Sequence, residues 1–181
     1  LVAMLNKGVH PVIYEKGSLG TSGDLSPLAM MAEVVMGEGR AFFKGKIMTG
    51  KAAMSAAKIK PVRLSYKEGL GLINGTQHMT GVGALAIHSA GLLAKNALIG
   101  AGMTIDCISS NVSGLDPRVH QIRNHRGQMV AAENLRRLIK GSQMIAHNKG
   151  KVQDAYSLRC CPQILGPTLD AIQYAETTHL H

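Results

Sequence analysis

Apolar residues along the chain recur at helical spacing, and alternation with period two is nearly absent. Residues 17–23, with glycine at Gly17, Gly20 and Gly23, predict a loop. Asp24 can cap a helix and Pro27 is tolerated in a first turn, so a helix is expected over residues 25–36, ended by Gly37 and Gly39. Residues 40–43 read as strand-like, 45–50 as a turn, 51–58 as a brief Ala-rich helix and 61–65 as extended. From 67 to 109 the chain is apolar and small, which predicts long helix with a break at Asn74-Gly75. Residues 111–127 are polar, with a turn at Asp116-Pro117. Helical spacing returns at Ala131, Leu135, Leu138 and Ile139, bends at Gly141-Ser142 and resumes to His147. A polar stretch over 149–159 precedes a final helix at 164–174. The expected class is all-α, a helical bundle with a short extended or loop segment around residues 40–65.

Composition sharpens this picture. The 181 residues are 45% hydrophobic, too apolar for a disordered chain, and the 21 glycines follow no collagen period. With 4 Tyr, 2 Phe and no Trp, the core must come from Leu, Ile, Val, Ala and Met. Eight glycines fall between Gly69 and Gly102. Each costs roughly 1 kcal/mol against Ala in a helix, which only close helix packing offsets. The apolar run 81–105 is interrupted by His88, Lys95 and Asn96, so a buried bundle helix is expected and no membrane span.

The net charge of +9 raises an anionic partner, but the basic residues are scattered and stacking platforms are few. A solvated basic face is expected, without nucleic acid. Three cysteines, two of them adjacent, form no disulfide framework or C-x-x-C pair and suit a reducing, cytoplasmic setting. No secretory signal is read at the start. The missing initiator Met and the end at His181 suggest a piece of a longer chain.

Several chemistries fail on spacing. Residues 45–51 match G-x-x-x-x-G-K, but Ala52 stands where a phosphate loop needs Ser or Thr for magnesium. The histidines, including His120 with His125 and the terminal pair His179 and His181, lack metal-ligand spacing, so no metal is expected. The run Gly20-Thr21-Ser22-Gly23 is one residue short of a nucleophile elbow. That loop suits ring closure better. Attack of the Gly23 amide nitrogen on the Thr21 carbonyl closes a five-membered ring across Ser22, and Gly23 has no Cβ to obstruct it. Loss of water from the ring and of the Ser22 hydroxyl leaves an alkene conjugated with a carbonyl. A helix beginning at Asp24 or Leu25 would direct its positive end toward that electrophile.

Residues 17–32, G-S-L-G-T-S-G-D-L-S-P-L-A-M-M-A, resemble the prosthetic-group loop of the histidine and phenylalanine ammonia-lyases. The likeness continues through Lys67-Glu68-Gly69-Leu70 into Leu72-Ile73-Asn74-Gly75-Thr76-Gln77, returns in Arg123-x-His125-x-Gly127-Gln128, and is strongest from Val152 to Gln163. Thr21 stands where that family most often has Ala, but only its carbonyl enters the ring. Cys161 occupies a variable position.

The resemblance implies 4-methylideneimidazole-5-one (MIO) formed autocatalytically from Thr21, Ser22 and Gly23, with no metal or nucleotide. It implies that Asn74 contacts the substrate carboxylate and helps hold the MIO region, and that Gln153, Tyr156 and Arg159 form the family's active-site triplet. If helical, their spacing spreads them over roughly 120° of one face. Arg159 would bind a carboxylate with two hydrogen bonds, and Tyr156 would handle a proton. The implied reaction is loss of ammonia from an α-amino acid, with either the substrate amine or its ring attacking MIO.

Asn74-Gly75-Thr76-Gln77 and Tyr156-Ser157-Leu158-Arg159-Cys160 favour L-histidine as substrate and urocanate as product, whereas Leu165-Gly166-Pro167 leans toward phenylalanine. A phenylalanine or tyrosine ammonia-lyase, an aminomutase and an inactive scaffold fragment are the alternatives. Family members are longer, which makes residues 1–181 the central, MIO-bearing portion, without an internal domain boundary. The family further implies a homotetramer with sites shared between chains.

Overall fold

The computed structural model describes residues 1–147 and 150–179. Lys149 of the expected polar stretch and His181 of the terminal pair lie outside the described residues. The fold is mainly helical, as the pattern of apolar positions predicts, and adds one small sheet among the described residues. Contacts divide the chain into two compact units, Leu1–Val82 and Gly83–His181.

The first unit begins with α1 (Val2–Asn6) and β1 (His10–Pro11). After the glycine loop come α2 (Leu25–Val35), β2 (Arg40–Phe43), β3 (Lys46–Thr49), α3 (Gly50–Ala56) and α4 (Glu68–Ile73). The strands form an antiparallel sheet in the order β1-β2-β3, with Arg40 opposite Thr49 and Phe43 opposite Lys46. Residues 46–49, expected in a turn, are therefore a strand. The reversal is only Lys44-Gly45, both left-handed (φ 49° and 76°), the geometry that matches strand twist in a two-residue hairpin. Thr49 Oγ1 accepts from Ala52 N at 3.3 Å and caps α3, so the G-x-x-x-x-G-K run is a hairpin strand feeding a capped helix. Ala41 and Phe43 point inward to a core with Met4, Val9, Val34, Val35, Ala53 and Met54.

The boundary between units falls inside α5 (Gln77–Cys107), which comes after the expected break that ends α4 at Ile73. The second unit adds a 3-10 turn (Val112–Leu115), α6 (Pro117–Arg123), α7 (Arg126–Leu138), α8 (Gln143–Ala146), α9 (Tyr156–Arg159) and α10 (Cys161–His179). Asp116-Pro117 starts a helix rather than merely turning the chain. Asp116 Oδ1 accepts from Arg118 N at 2.9 Å, and Pro117 occupies the first turn, where its missing N–H costs nothing. The core here comprises Leu98, Ile105, Leu115, Ala131, Leu135 and Cys161.

The glycine expectation holds in part. In α5, a Cβ on Gly102 would meet Leu138 at 3.1 Å and one on Gly83 would meet His179 at 3.2 Å, whereas Gly81, Gly91 and Gly100 face open space. Between helices, the tightest approach is where α7 packs on α10. A Cβ on Gly127 would collide with the Gly166 carbonyl, and one on Gly166 would lie 2.5 Å from Gln128 N. Nor is α5 the buried helix expected. Of its residues only Ala94, Leu98, Gly102 and Ile105 are buried, while Leu85 and Leu93 are 71% and 70% exposed. The helical span Glu68–Cys107 is long and apolar enough to cross a membrane on length and composition alone.

Candidate active site

In the first unit the Thr21-Ser22-Gly23 loop lies between α2 and the start of α5 in a web of named contacts. Ser22 and Gly23 both take positive φ (59° and 95°), a combination that glycine tolerates at the second position at no steric cost. A Cβ on Gly23 would run into the carbonyl of Gly75, so even this residue's Cα face is filled by backbone. Asn74, at the end of α4, donates from Nδ2 to the Ser22 carbonyl at 2.5 Å. Thr21 and Ser22 are themselves exposed.

Asp24 anchors this loop, though not in the expected way. It sits at the N-cap of α2 but its side chain makes no cap bond there. Instead Oδ1 accepts from Ser18 Oγ at 2.6 Å, and Oδ2 accepts from Met79 N at 2.8 Å, in the first turn of α5. Its own N–H donates to Gly75 O at 2.8 Å. The carboxylate is buried, with 1% of the residue exposed. The Ser18 hydroxyl, then the Met79 N–H, hold its pKa below the ordinary aspartate value despite the burial that opposes them. Sequence reading missed Ser18 and Met79. Ser18 lies within the recognised loop, but no local signal marks Met79.

The second unit holds the other three expected residues. Tyr156 and Arg159 occupy the two ends of α9, and Gln153 precedes it in non-helical chain. The helical i, i+3, i+6 face is therefore not formed. Gln153 and Arg159 nonetheless line one open cavity of about 190 Å³, together with Asn111, Ser113, Gly114 and Asp154. Tyr156 is 70% exposed, and the Arg159 guanidinium carbon stacks 4.1 Å from its ring centroid. Arg159 Nε donates to the Asp154 carbonyl at 3.1 Å. Its two terminal nitrogens make no hydrogen bond among the described residues, which leaves a planar fork suited to a carboxylate.

Asp154 is buried and organises the approach to this cavity. Its carboxylate accepts from Ser110 Oγ and Asn111 N, both at 2.6 Å, and pairs with Lys151. Lys151 first, then Ser110, lower its pKa. A larger groove of about 440 Å³ lies between α5 and α10 and contains none of the expected site residues. No cluster of His, Cys, Asp and Glu able to hold a metal occurs among the described residues.

The model of the family described as aromatic amino acid lyase matches residues 1–180. A histidine ammonia-lyase of Alkaliphilus oremlandii is 56% identical over 177 residues, which cover 97% of this chain and 35% of that protein. The phenylalanine aminomutase of Pantoea agglomerans superposes with TM-score 0.88 at 35% identity, over 98% of this chain and 38% of that one. The ergothionase of Treponema denticola superposes with TM-score 0.92 at 29% identity, over 99% and 36% respectively. This chain thus spans about a third of the length of the curated relatives it matches. Over nearly its whole length, it belongs to the aromatic amino acid lyase family.

Proposed function

We propose that this chain carries the prosthetic-group loop and part of the substrate site of an ammonia-lyase that converts L-histidine to urocanate. Identities of 46% to 56% with eight histidine ammonia-lyases support the substrate. The observation that carries the chemistry is the pinned Thr21-Ser22-Gly23 loop, with Asn74 on the Ser22 carbonyl. The residues present fit MIO: Gly23 lacks a Cβ where Gly75 leaves no room for one, and Ser22 is already turned into a left-handed bend. When formed, the group supplies an electrophilic alkene conjugated with the Ser22 carbonyl.

The remaining roles belong to side chains of this chain. Asn74 withdraws electron density from the Ser22 carbonyl through its hydrogen bond. The free fork of Arg159 takes the substrate carboxylate, and Gln153 shares the same cavity. Fixing the carboxylate holds the amino acid in one orientation while a base removes its β-hydrogen. Tyr156 offers a phenolic hydroxyl for proton handling, its ring held in place by the stacked Arg159 cation.

A homotetramer with shared sites accounts for the apolar side chains that α5 leaves exposed, Leu85, Leu93 and Met103 among them. Cys107, Cys160 and Cys161 are free thiols, which suits the cytoplasm. An aminomutase is the second reading, favoured by the likeness to the Pantoea agglomerans enzyme.

The test uses the complete gene product. Its intact mass should lack two waters, and incubation with L-histidine should release ammonia and an ultraviolet-absorbing unsaturated acid. An unmodified mass in the folded protein overturns the prosthetic group. Product from phenylalanine or tyrosine but not histidine overturns the substrate, and a β-amino acid product selects the aminomutase.

A further inference from the structure

Arg159 rests against a turn that is anchored from beneath by a buried histidine. The turn is Val112–Leu115, and a Cβ on Gly114 would stand 3.1 Å from the Arg159 carbonyl oxygen and 3.3 Å from Arg159 Cβ. Gly114 therefore packs directly on the Arg159 backbone, at a distance that any larger residue would have to widen. The Gly114 carbonyl is 3.1 Å from Nε2 of His120, a residue only 1% exposed. The other ring nitrogen, Nδ1, lies 2.9 Å from Nε2 of the buried Gln128. An amide nitrogen has only hydrogens to give, so Nδ1 accepts and Nε2 carries the ring proton to Gly114. Burial lowers the pKa of His120 and keeps this neutral tautomer. Arg136 Nη1 adds a 2.7 Å bond to the Leu115 carbonyl, and Asp154 ties Ser110 and Asn111, just before the turn, to the segment that supplies the acceptor for Arg159 Nε.

We propose that His120 is a positioning residue for Arg159. By holding the Gly114 carbonyl, it keeps the turn seated against the Arg159 backbone and sets where the guanidinium meets a substrate carboxylate. The idea rests on the reading of Arg159 as the carboxylate-binding residue, and the experiment separates the two.

The measurement is steady-state kinetics of the complete gene product with the aromatic amino acid it turns over. Arg159→Met alone tests the underlying reading, which fails if KM is unchanged. His120→Leu removes both ring hydrogen bonds and should raise KM about tenfold while kcat stays within about twofold. His120→Gln keeps an Nε2–H at similar reach and should restore most of that loss. Gly114→Ala leaves His120 intact but adds a methyl against Arg159, and should raise KM as well. Its readout stands even if His120→Leu fails to fold. In the Arg159→Met background, His120→Leu should add no further rise in KM. Additive effects, an unchanged KM in Gly114→Ala, or a His120→Leu variant that loses thermal stability and kcat but not KM would overturn the proposal.

Discussion

The side-chain amide of Asn74 donates to the main-chain carbonyl of Ser22 at 2.5 Å, joining two positions 52 residues apart. Ring closure across Ser22 would consume the Thr21 carbonyl and leave that of Ser22, so this hydrogen bond would persist into the finished ring. Replacing Asn74 with Ala should lower kcat by about 100-fold, the usual cost of losing one preorganised donor. Full-length protein of unaltered fold and undiminished turnover would refute the role.

Gly23 is held at φ 95° with its Cα face against Gly75. Gly23→Ala should fold less stably by about 1–3 kcal/mol from backbone strain. It should also keep the mass of the unmodified chain. Mass spectrometry and a urea titration check both outcomes together.

Asp24 yields a pH dependence. Its folded pKa lies below the ordinary value of 3.8, so the folded state binds fewer protons than the unfolded one in that range. The associated stabilisation is fully present above the unfolded value and is lost as pH falls through the folded value. Urea midpoints should therefore drop in acid for the native chain and drop less steeply for Asp24→Asn. Parallel curves would rule out this contribution.

The α7–α10 crossing should be intolerant of a single methyl. Gly166→Ala places Cβ against Gln128 N at 2.5 Å, and Gly127→Ala strikes the Gly166 carbonyl. Each should cost about 1–3 kcal/mol as overpacking. For comparison, Leu135→Ala empties a fully buried site and should cost about 2–5 kcal/mol. Equilibrium denaturation ranks the three.

How much of the molecule is legible in the sequence depends on how local each signal is. The loop at residues 17–23, the helix after Asp24 and the break at Asn74-Gly75 all depend on neighbouring residues, and each appears where expected. Residues 46–49 were hidden because a hairpin strand declares itself through its partner β2 rather than through its own four side chains. Gln153 is near its expected companion Arg159, but along an extended stretch rather than a helix, since helical spacing alone does not make a helix. The α5 apolar run reads as core by composition, whereas Leu85 and Leu93 stay exposed in the structure, because burial is set by which elements pack against a helix and not by the helix's own composition. In the sequence His120 is weighed only as a metal ligand, and nothing local marks it as a support. Its role as a support comes from a carbonyl six positions earlier and an amide eight positions later, both set by tertiary packing.

The bond from Met79 N to the Asp24 carboxylate has a bearing on time. Its partners are 55 positions apart, and the loop that Asp24 anchors is synthesised first. In a chain growing on the ribosome the Asp24 carboxylate therefore lacks this partner until the opening turn of α5 has emerged and wound. Until then the loop lacks one of the contacts that hold it in its folded geometry. The loop's folded geometry is thus completed only once the segment from Ser18 to Met79 has come together.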